Sequence, residues 1–480
     1  MSATGALAIA IALAGCGTTT YFAGRTLPPS GLVNRVLIAI QNPSTLTKGG
    51  LQFVDAFYDV RFNYNSKIGS FSISGYSGAL PISIQNMPEE QAGAVYGAGD
   101  GSFAVVNYAK EAGGAAMFTA FSSSIFITRS ESYIFAATQA SPRTLTVVDK
   151  TGSGATVALS LPGIYRVSVN PGGSVALAFV QNSNYAYYPR KLSSTQTIAY
   201  SGGPSTWPKA ATDCEPFNAP TWCLFQAQSP DSTDATGNFY GAPLTFDRPT
   251  KAIFSADGGT AYVLNCGVEC GGSNSSVTPI PTAPTIFLTG QQSGKLPTTS
   301  ALASSTISIP GGASNALLDS STMYVVGQQK MPDGLFAGHL TVVTLPTNTT
   351  AASVSAPISI SDGAPGAVSR MILADDNTLW IGMTKCTSGE RYNNNEAYGC
   401  LTMFNTTTNT VDLLEPFLGD ATGIAAVTGL HKIYVAQGGQ VYIYKTTDGS
   451  SIDNQYVTVT GTAWDVAYMD GLTDSNNSVY

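Results

Sequence analysis

One strand–turn–strand pattern recurs along most of this chain of 480 residues. Each copy is an alternating apolar run, a tight turn of Asp, Gly, Ser or Asn, and a second run rich in Tyr, Val and Ile. This pattern is typical of a β-hairpin. The clearest copies are YRVSVNPGGSVALAFV (165–180), KAIFSADGGTAYVLN (251–265), NALLDSSTMYVVG (315–327), SRMILADDNTLWIG (369–382) and GIAAVTGLHKIYVAQ (423–437). Almost no segment shows the period of an amphipathic helix.

A second hairpin usually follows the first. It is visible at 103–121, 144–161, 401–415 and 441–459. The repeating unit is therefore four strands, with a pitch of about 40–65 residues. Four short antiparallel strands repeated in this way form the blades of a β-propeller. The sequence predicts an all-β fold, a single β-propeller of four-stranded antiparallel blades.

The first strands of the units predict the number of blades. Seven such strands begin near Ile82, Ile125, Tyr165, Lys251, Asn315, Ser369 and Gly423. One further strand, 463–469, has no partner after it, and strands at 35–41, 57–63 and 68–74 are left over at the beginning of the chain. Because an open ring leaves unpaired strand edges, we expect the N- and C-terminal strands to close an eighth blade. Seven blades with spare N-terminal strands is the alternative.

The segment SADGGTAYVLN (255–265) resembles the repeat of YVTN-type propellers, a group that includes lactonase-like proteins. In that repeat a Ser-Pro-Asp-Gly turn precedes an Ala-Tyr-Val strand, and Ala256 stands here where Pro is usual. The same segment is similar to the sialidase Asp box, which is a turn element remote from catalysis. The resemblance implies a propeller fold and carries little information about activity.

The chain begins with an apolar stretch that ends in Leu13-Ala14-Gly15-Cys16. This resembles the lipobox of bacterial lipoproteins, although residues 1–15 contain no Lys or Arg. The resemblance implies a signal peptide over 1–15, cleavage before Cys16 and a lipid anchor on that cysteine. Residues 16–33 are then a tether and 34–480 the propeller. A disordered Ala-rich N-terminus is the alternative.

Six cysteines remain after Cys16, in three pairs that are local in sequence, namely Cys214 and Cys223, Cys266 and Cys270, and Cys386 and Cys400. Six cysteines allow 15 connectivities, and local pairing is the simplest. A zinc site is the rival, but neither CxxC spacing nor a nearby His is present. Disulfides favour an extracytoplasmic location, either periplasmic or at the cell surface.

The long loops are expected on one face of the disc. We interpret 201–247 as a disulfide-braced insertion between blades, and we expect all three cysteine pairs on the same face as this insertion. Its aromatic residues Trp207, Trp222 and Tyr240 suit sugar stacking or a protein contact. The alternatives are that these side chains form a small local core and that the loops are neutral insertions.

Charge composition excludes several partners. The chain has 22 basic and 30 acidic residues and a net charge of −8, so it cannot neutralise many phosphates of a nucleic acid. It also lacks the basic surface that binds anionic lipid heads. After the first 16 residues no apolar run is long enough to span a bilayer. We expect membrane contact through the lipid anchor only.

The sequence offers no catalytic constellation. Residues 75–79 miss the last Gly of G-x-S-x-G, and His339 and His431 are interpreted as a strand-end and a turn residue. A cation-dependent lactonase needs acidic or Asn side chains converging on the central channel, and Asn315, Asp319 and Asp465 do not recur as a ring. Residues 149–152 match a quinoprotein repeat only in part. We therefore predict no catalytic residue, no metal and no cofactor.

These features together favour a lipid-anchored propeller of the cell envelope that binds an envelope protein or a glycan without catalysis. The anchor and blade count are similar to those of the eight-bladed outer-membrane assembly lipoprotein, which implies a scaffold. Two alternatives stay open. One is a lactonase-like or glycoside-acting hydrolase that uses the central channel, and the other is a surface protein that self-associates.

Overall fold

The computed structural model describes residue 25 and residues 27–61, 71–118, 121, 124–130, 132–138, 144–150, 155–201, 207–216, 219–234, 239–285, 295–361, 366–386, 399–415 and 418–472. Within these ranges the chain forms small antiparallel sheets arranged as an eight-bladed propeller. The prediction of eight blades is confirmed. No helix among the described residues is long and apolar enough to cross a membrane.

The first half of the chain supplies the first four blades. Blade 1 begins with β1 (Arg35–Gln41) and β2 (Gly49–Asp55). Blade 2 consists of β3 (Pro81–Met87), β4 (Ala92–Gly97), β5 (Ser102–Asn107) and β6 (Ala112–Phe118), and blade 3 of β7 (Ser124–Arg129), β8 (Tyr133–Thr138), β9 (Thr144–Asp149) and β10 (Thr156–Ser160). Blade 4 has five strands, β11 (Ile164–Val169), β12 (Ala176–Val180), β13 (Ala186–Lys191), β14 (Ala211–Glu215) and β15 (Trp222–Gln226), and helix α1 (Ser194–Ala199) precedes β14.

The second half supplies the other four. A short hairpin of β16 (Ser232–Thr233) and β17 (Phe239–Tyr240) leads to blade 5, which consists of β18 (Pro249–Phe254), β19 (Thr260–Asn265), β20 (Ser276–Pro281), helix α2 (Thr299–Ser305) and β21 (Ile307–Ser308). Blade 6 contains β22 (Asn315–Asp319), β23 (Thr322–Lys330), β24 (Phe336–Thr344), β25 (Ser353–Val354) and β26 (Ile358–Ser359). Blade 7 contains β27 (Ala367–Ala374), β28 (Thr378–Thr384), β29 (Cys400–Asn405) and β30 (Thr410–Glu415), and blade 8 contains β31 (Ala421–Val427), β32 (Lys432–Gln437), β33 (Gln440–Lys445) and β34 (Ser451–Val457).

The last strand, β35 (Thr462–Tyr468), closes the ring as the innermost strand of blade 1. It pairs with β1, and β1 pairs with β2, so both ends of the propeller meet in one sheet. The innermost strands of the eight blades are β3, β7, β11, β18, β22, β27, β31 and β35. All seven predicted first strands and the predicted closing strand lie at these positions. The core is built between neighbouring blades from apolar side chains on both sheet faces.

The N-terminal strands differ from the prediction. The expected strand 57–63 is a turn in its described part, and the strand of blade 1 is instead β2. The physical reason is the side chain of Asp55, whose Oδ1 accepts a hydrogen bond from Phe57 N (2.9 Å) and turns the backbone. Of the expected strand 68–74, residues 68–70 lie outside the described residues, and Phe71 and Ile73 hydrogen-bond to β2.

We define the lower face of the propeller as the side that carries the turns between the first and second strands of each blade. The upper face is the opposite side.

The segment 201–247 is only partly an insertion, because its strand β15 pairs with β13 and completes blade 4. Since Lys191 pairs with Trp222, the turn between β14 and β15 lies at the lower face. The expectation that all three cysteine pairs share a face is therefore wrong. Cys266–Cys270 and Cys386–Cys400 lie on the upper face, and Cys214–Cys223 lies towards the lower one.

Candidate functional site

A β-bulge places one residue of each inner strand at the same level of the central channel. In seven of the eight inner strands the pairing with the neighbouring strand shifts by one residue near the upper end. In the eighth, Asn315 opens the pairing of β22, and Ser314 N also hydrogen-bonds to the same partner, Val326 O. Bulges of this kind redirect the next side chain. The eight residues that follow, which we call the inner ring, are Ser83, Phe126, Arg166, Lys251, Asn315, Arg370, Gly423 and Asp465.

Members of the inner ring contact one another in three pairs. Lys251 Nζ donates a hydrogen bond to Asn315 Oδ1 (2.7 Å). The guanidinium of Arg166 lies over the ring of Phe126, 5.2 Å from its centroid. Arg370 Nη2 forms an ion pair with Asp465 Oδ2 at 3.1 Å. These contacts join blade 3 to blade 4, blade 5 to blade 6, and blade 7 to blade 1.

Gly423 explains how Arg370 reaches Asp465 past blade 8. A Cβ at position 423 would lie 2.5 Å from Asp465 Oδ1 and 2.6 Å from Asp465 Cα. Real Cβ atoms do not approach other atoms this closely, so only glycine fits without a shift. The missing side chain therefore leaves the space in which the carboxylate of Asp465 lies.

Two cavities adjoin the inner ring. The upper cavity has a volume of about 310 Å³ and is lined by Ile82, Ser83, Gln85, Tyr96, Phe126, Ile127, Arg166, Val368, Ser369, Arg370, Thr384, Thr422 and Trp464. The lower cavity has about 220 Å³ and is lined by Phe126, Thr128, Val167, Ser168, Val169, Pro171, Lys251, Ala252, Ile253 and Phe254. Among these described lining residues three are basic, namely Arg166, Lys251 and Arg370, and none is acidic.

Burial controls the ionisation of this site. It lowers the pKa of Arg166, and the positive charge of Arg370 lowers that pKa further. Burial also lowers the pKa of Lys251 well below its usual value, helped by the charges of Arg166 and Arg370. Asp465 is only 1% exposed, and burial raises its pKa while Arg370 opposes the rise. The channel is thus a desolvated site with excess positive charge, and such a site attracts an anion.

The structure brings two of the polar residues considered from the sequence into the channel. Asn315 and Asp465 are members of the inner ring, whereas Asp319 is exposed at the end of β22. The channel therefore has a cationic wall in place of a ring of carboxylates. Within the described part of the chain no cluster of three or more His, Cys, Asp or Glu side chains is placed to hold a metal.

Both histidines lie outside the channel. His339 is buried in β24, where Nδ1 is 2.9 Å from Ala337 O. His431 is an exposed turn residue whose Nδ1 lies 2.8 Å from Asp376 Oδ2, and this hydrogen bond raises its pKa.

The predicted aromatic site on 201–247 is not assembled. Trp222 is only 4% exposed and packs edge-on against Tyr133, with ring centroids 5.1 Å apart. Trp207 and Tyr240 are partly buried against a different core cluster, between blades 4 and 5. The arrangement matches the alternative of local core packing. Cys16 lies outside the described residues, so its lipidation stays a prediction.

The three cysteine pairs form disulfides in the local pairing expected from the sequence. The Cα–Cα distances are 4.1 Å for Cys214–Cys223, 5.6 Å for Cys266–Cys270 and 5.7 Å for Cys386–Cys400. Disulfides in such number are typical of an extracytoplasmic protein.

The three basic residues of the inner ring were not predicted from the sequence, although the sequence contains a signal for them. Three of the repeated hairpins have a basic residue at their first or second position, as in YRVSV, KAIF and SRMIL. A basic residue in an otherwise apolar inner strand is costly to bury. That recurrence indicates a shared position at the channel.

Comparisons with known proteins show the fold. No family model matches the chain, and no curated protein matches it. Similar solved structures include dihydro-heme d1 dehydrogenase NirN in complex with DHE (10% identity, TM-score 0.50, covering 92% of this chain and 75% of that one). Others are lactonase-like propellers, namely a putative 6-phosphogluconolactonase from Bacteroides fragilis (9% identity, TM-score 0.49, 91% and 97% covered) and a periplasmic gluconolactonase from Pseudomonas aeruginosa (11% identity, TM-score 0.46, 91% and 98% covered). At these identities the likeness concerns the propeller architecture alone. The YVTN-type repeat stays a prediction.

Proposed function

We propose that this protein is an extracytoplasmic propeller that binds a small hydroxylated anion, a sugar acid or sugar phosphate, in the upper cavity. One observation carries the proposal: the walls of the two channel cavities hold Arg166, Lys251 and Arg370 and, among the described lining residues, no carboxylate. A buried guanidinium is stable when a negative group hydrogen-bonds to it. Arg166 packs over the ring of Phe126 and forms no ion pair with a carboxylate of the described residues, so a bound anion supplies that charge.

The rest of the upper cavity suits a polyhydroxylated ligand. Ser83, Gln85 and Thr422 offer hydroxyl and amide groups, and Trp464, which is 37% exposed, supplies an aromatic wall. Polar groups at the walls of a pocket orient a ligand, and an aromatic face stacks on a sugar ring. Non-catalytic binding is the function these groups support best.

Titration calorimetry tests the proposal with gluconate, 6-phosphogluconate and uncharged glucose as probes. We expect both anions to bind and glucose to bind far more weakly, and the ratio between the anions distinguishes a carboxylate from a phosphate site. Arg166→Gln should weaken anion binding roughly tenfold to a hundredfold, since a hydrogen bond to a charged group contributes about 1.5–3 kcal/mol. The matched control is Lys330→Gln, at an exposed strand end. Equal affinity of wild type and Arg166→Gln for both anions would refute the proposal.

A lactonase-like activity is the second candidate, and the buried amine of Lys251 in the same channel is the observation that favours it. A neutral amine can act as a general base towards water. Following acid release from gluconolactone at constant pH tests this activity. If the rate equals the uncatalysed rate although the anions bind, the lactonase-like candidate is excluded and non-catalytic binding is the function.

The cellular setting is also part of the proposal. The lipobox-like residues before Cys16 favour a lipid anchor in the cell envelope. Metabolic labelling with a radioactive fatty acid should mark the wild type and leave Cys16→Ala unlabelled. An envelope protein or glycan as partner, and self-association, stay predictions. Affinity capture from solubilised envelope and sedimentation over a range of protein concentrations test them.

A further inference from the structure

Lys251 combines three features that are unusual for a lysine. It is only 7% exposed, it belongs to the inner ring, and it lines the lower cavity of about 220 Å³. Its strand β18 lies beside β11, where Ala252 N donates to Ser168 Oγ (3.0 Å). The charged groups that act on it belong to other blades, Arg166 to blade 4 and Arg370 to blade 7. Burial and the two guanidinium groups of Arg166 and Arg370 lower its pKa and favour the neutral amine.

Asn315 supplies an independent observation beside this amine. Its Oδ1 accepts hydrogen bonds from Lys251 Nζ (2.7 Å) and from Ala316 N (2.9 Å), which fixes the orientation of the amide. Its Nδ2 is buried and, within the described part of the chain, has no hydrogen-bond partner. A buried donor without an acceptor is costly, so its presence beside Lys251, which itself lines the lower cavity, indicates an acceptor atom of a ligand.

We propose that Lys251 is a nucleophilic amine that condenses reversibly with the carbonyl group of a small oxo acid in the channel. Lys251 Nζ adds to the carbonyl carbon, the π electron pair moves to the oxygen, and a proton passes from nitrogen to that oxygen to give a carbinolamine. Loss of one water then leaves an imine between Nζ and the former carbonyl carbon. No oxidant or reductant takes part. Asn315 Nδ2 donates to the carbonyl oxygen and polarises it.

The charge of the site selects the ligand class. A neutral aldehyde offers nothing to the cationic wall, whereas the carboxylate of an oxo acid is attracted to Arg166 and Arg370. The inference goes beyond the proposed anion binding, because the reacting part is a carbonyl group. The two proposals can fail independently. Gluconate and 6-phosphogluconate test anion binding and form no imine, whereas the adduct on Lys251 is measured in their absence.

Trapping with pyruvate and sodium cyanoborohydride at neutral pH tests this proposal on the full chain. Cyanoborohydride reduces an imine to a stable secondary amine, so the protein gains one carboxyethyl group, and peptide mapping locates it. We expect one adduct on Lys251 at a pyruvate concentration that leaves exposed lysines unmodified. Lys251→Arg keeps a long basic side chain but cannot form the imine, and it should lose the adduct. Lys330→Arg, at an exposed position, should keep it.

A second variant retains the lysine itself. In Asn315→Asp the new carboxylate holds Lys251 charged and removes the amide donor, so labelling should fall at least about tenfold. In denaturant the preference for Lys251 should vanish. No adduct on folded wild type, adducts spread over exposed lysines, or equal labelling of wild type and Asn315→Asp would each overturn the proposal.

Discussion

Arg35 and Asp470 form a buried ion pair across the closure of the ring, with Arg35 Nη2 2.7 Å from Asp470 Oδ1, although 435 residues separate them in sequence. Arg35 N and Nε also donate to Asp470 Oδ2, at 2.8 and 3.1 Å. Arg35 Nη1 bonds in addition to Glu111 Oε1 and Tyr108 O, both at 2.8 Å, in blade 2. One guanidinium therefore joins the first strand, the end of the last strand and the neighbouring blade.

Removing this guanidinium should destabilise the propeller strongly. Arg35→Met leaves the carboxylates of Asp470 and Glu111 buried without their cation, which costs about 3–5 kcal/mol of unfolding free energy. Urea unfolding followed by tryptophan fluorescence measures the change. The control is Lys110→Met at an exposed turn, with an expected change within about 0.5 kcal/mol. A loss below about 1 kcal/mol in Arg35→Met would show that the ring closes without this pair.

The disulfides should differ in their contribution to stability because they close loops of different length. Cys386–Cys400 spans 14 residues, and Cys266–Cys270 spans 4. The chain-entropy model gives about 3 kcal/mol for a loop of 15 residues and less for a shorter one. Replacing both cysteines of each pair with Ala should therefore lower the urea midpoint more for 386/400 than for 266/270. The reverse order would contradict the loop-entropy explanation.

Glu269 should make stability depend on pH near neutrality. It lines a cavity of about 380 Å³ between blades 4 and 5, and burial raises its pKa from 4.5 to about 7. Because the folded state holds the proton more tightly, the contribution is fully present below pH 4.5 and is lost as the pH rises through about 7. The loss reaches about 3 kcal/mol at most, since one pKa unit corresponds to about 1.4 kcal/mol.

Glu269→Gln isolates this effect. Gln retains an oxygen for the hydrogen bond from Gln328 N (2.9 Å) and does not titrate. We expect the variant to be more stable than wild type at pH 8 and of equal stability at pH 4. The same stability difference at both pH values would assign the effect to packing.

The order of strands was predictable because the hairpin signal is local. Each hairpin lies within about 15 residues and contains an alternating apolar run, a tight turn and a second apolar run. The inner strands from β3 to β31 can therefore be predicted from the sequence alone. Strand β15 did not follow, because it pairs with β13 across the intervening segment 192–221. The direction of β15 also determines that Cys214–Cys223 lies towards the lower face. The spacing of the cysteines in the sequence does not reveal the direction of this strand.

The site was predictable only in part. Asn315 and Asp465 stand out as polar residues in apolar strands, and both belong to the inner ring. Arg166 and Lys251 occupy the same position of the repeat. Their role depends on which residues line the cavities, and the described ones include no carboxylate, which is a property of the assembled ring. The β-bulges place the inner-ring residues at one height in the channel. They depend on pairing with a neighbouring strand, and the bulged residues share no sequence pattern.

Gly423 is the residue on which the geometry of the ring depends most directly. In Gly423→Ala the new Cβ would meet Asp465 Oδ1 at 2.5 Å and Val466 N at 2.8 Å, so Asp465 must move. Its carboxylate then leaves Arg370, and a buried ion pair is weakened together with the hydrogen bond from Ile84 N to Asp465 Oδ2 (2.8 Å). We expect a loss of about 1–3 kcal/mol of stability and weaker binding of gluconate or 6-phosphogluconate. Gly172→Ala is the matched control, since nothing lies within 4 Å of its Cβ position, and it should leave both quantities unchanged. Urea unfolding and titration calorimetry measure the two effects on the same samples, and equal behaviour of the two glycine variants would mean that the inner ring tolerates movement of Asp465.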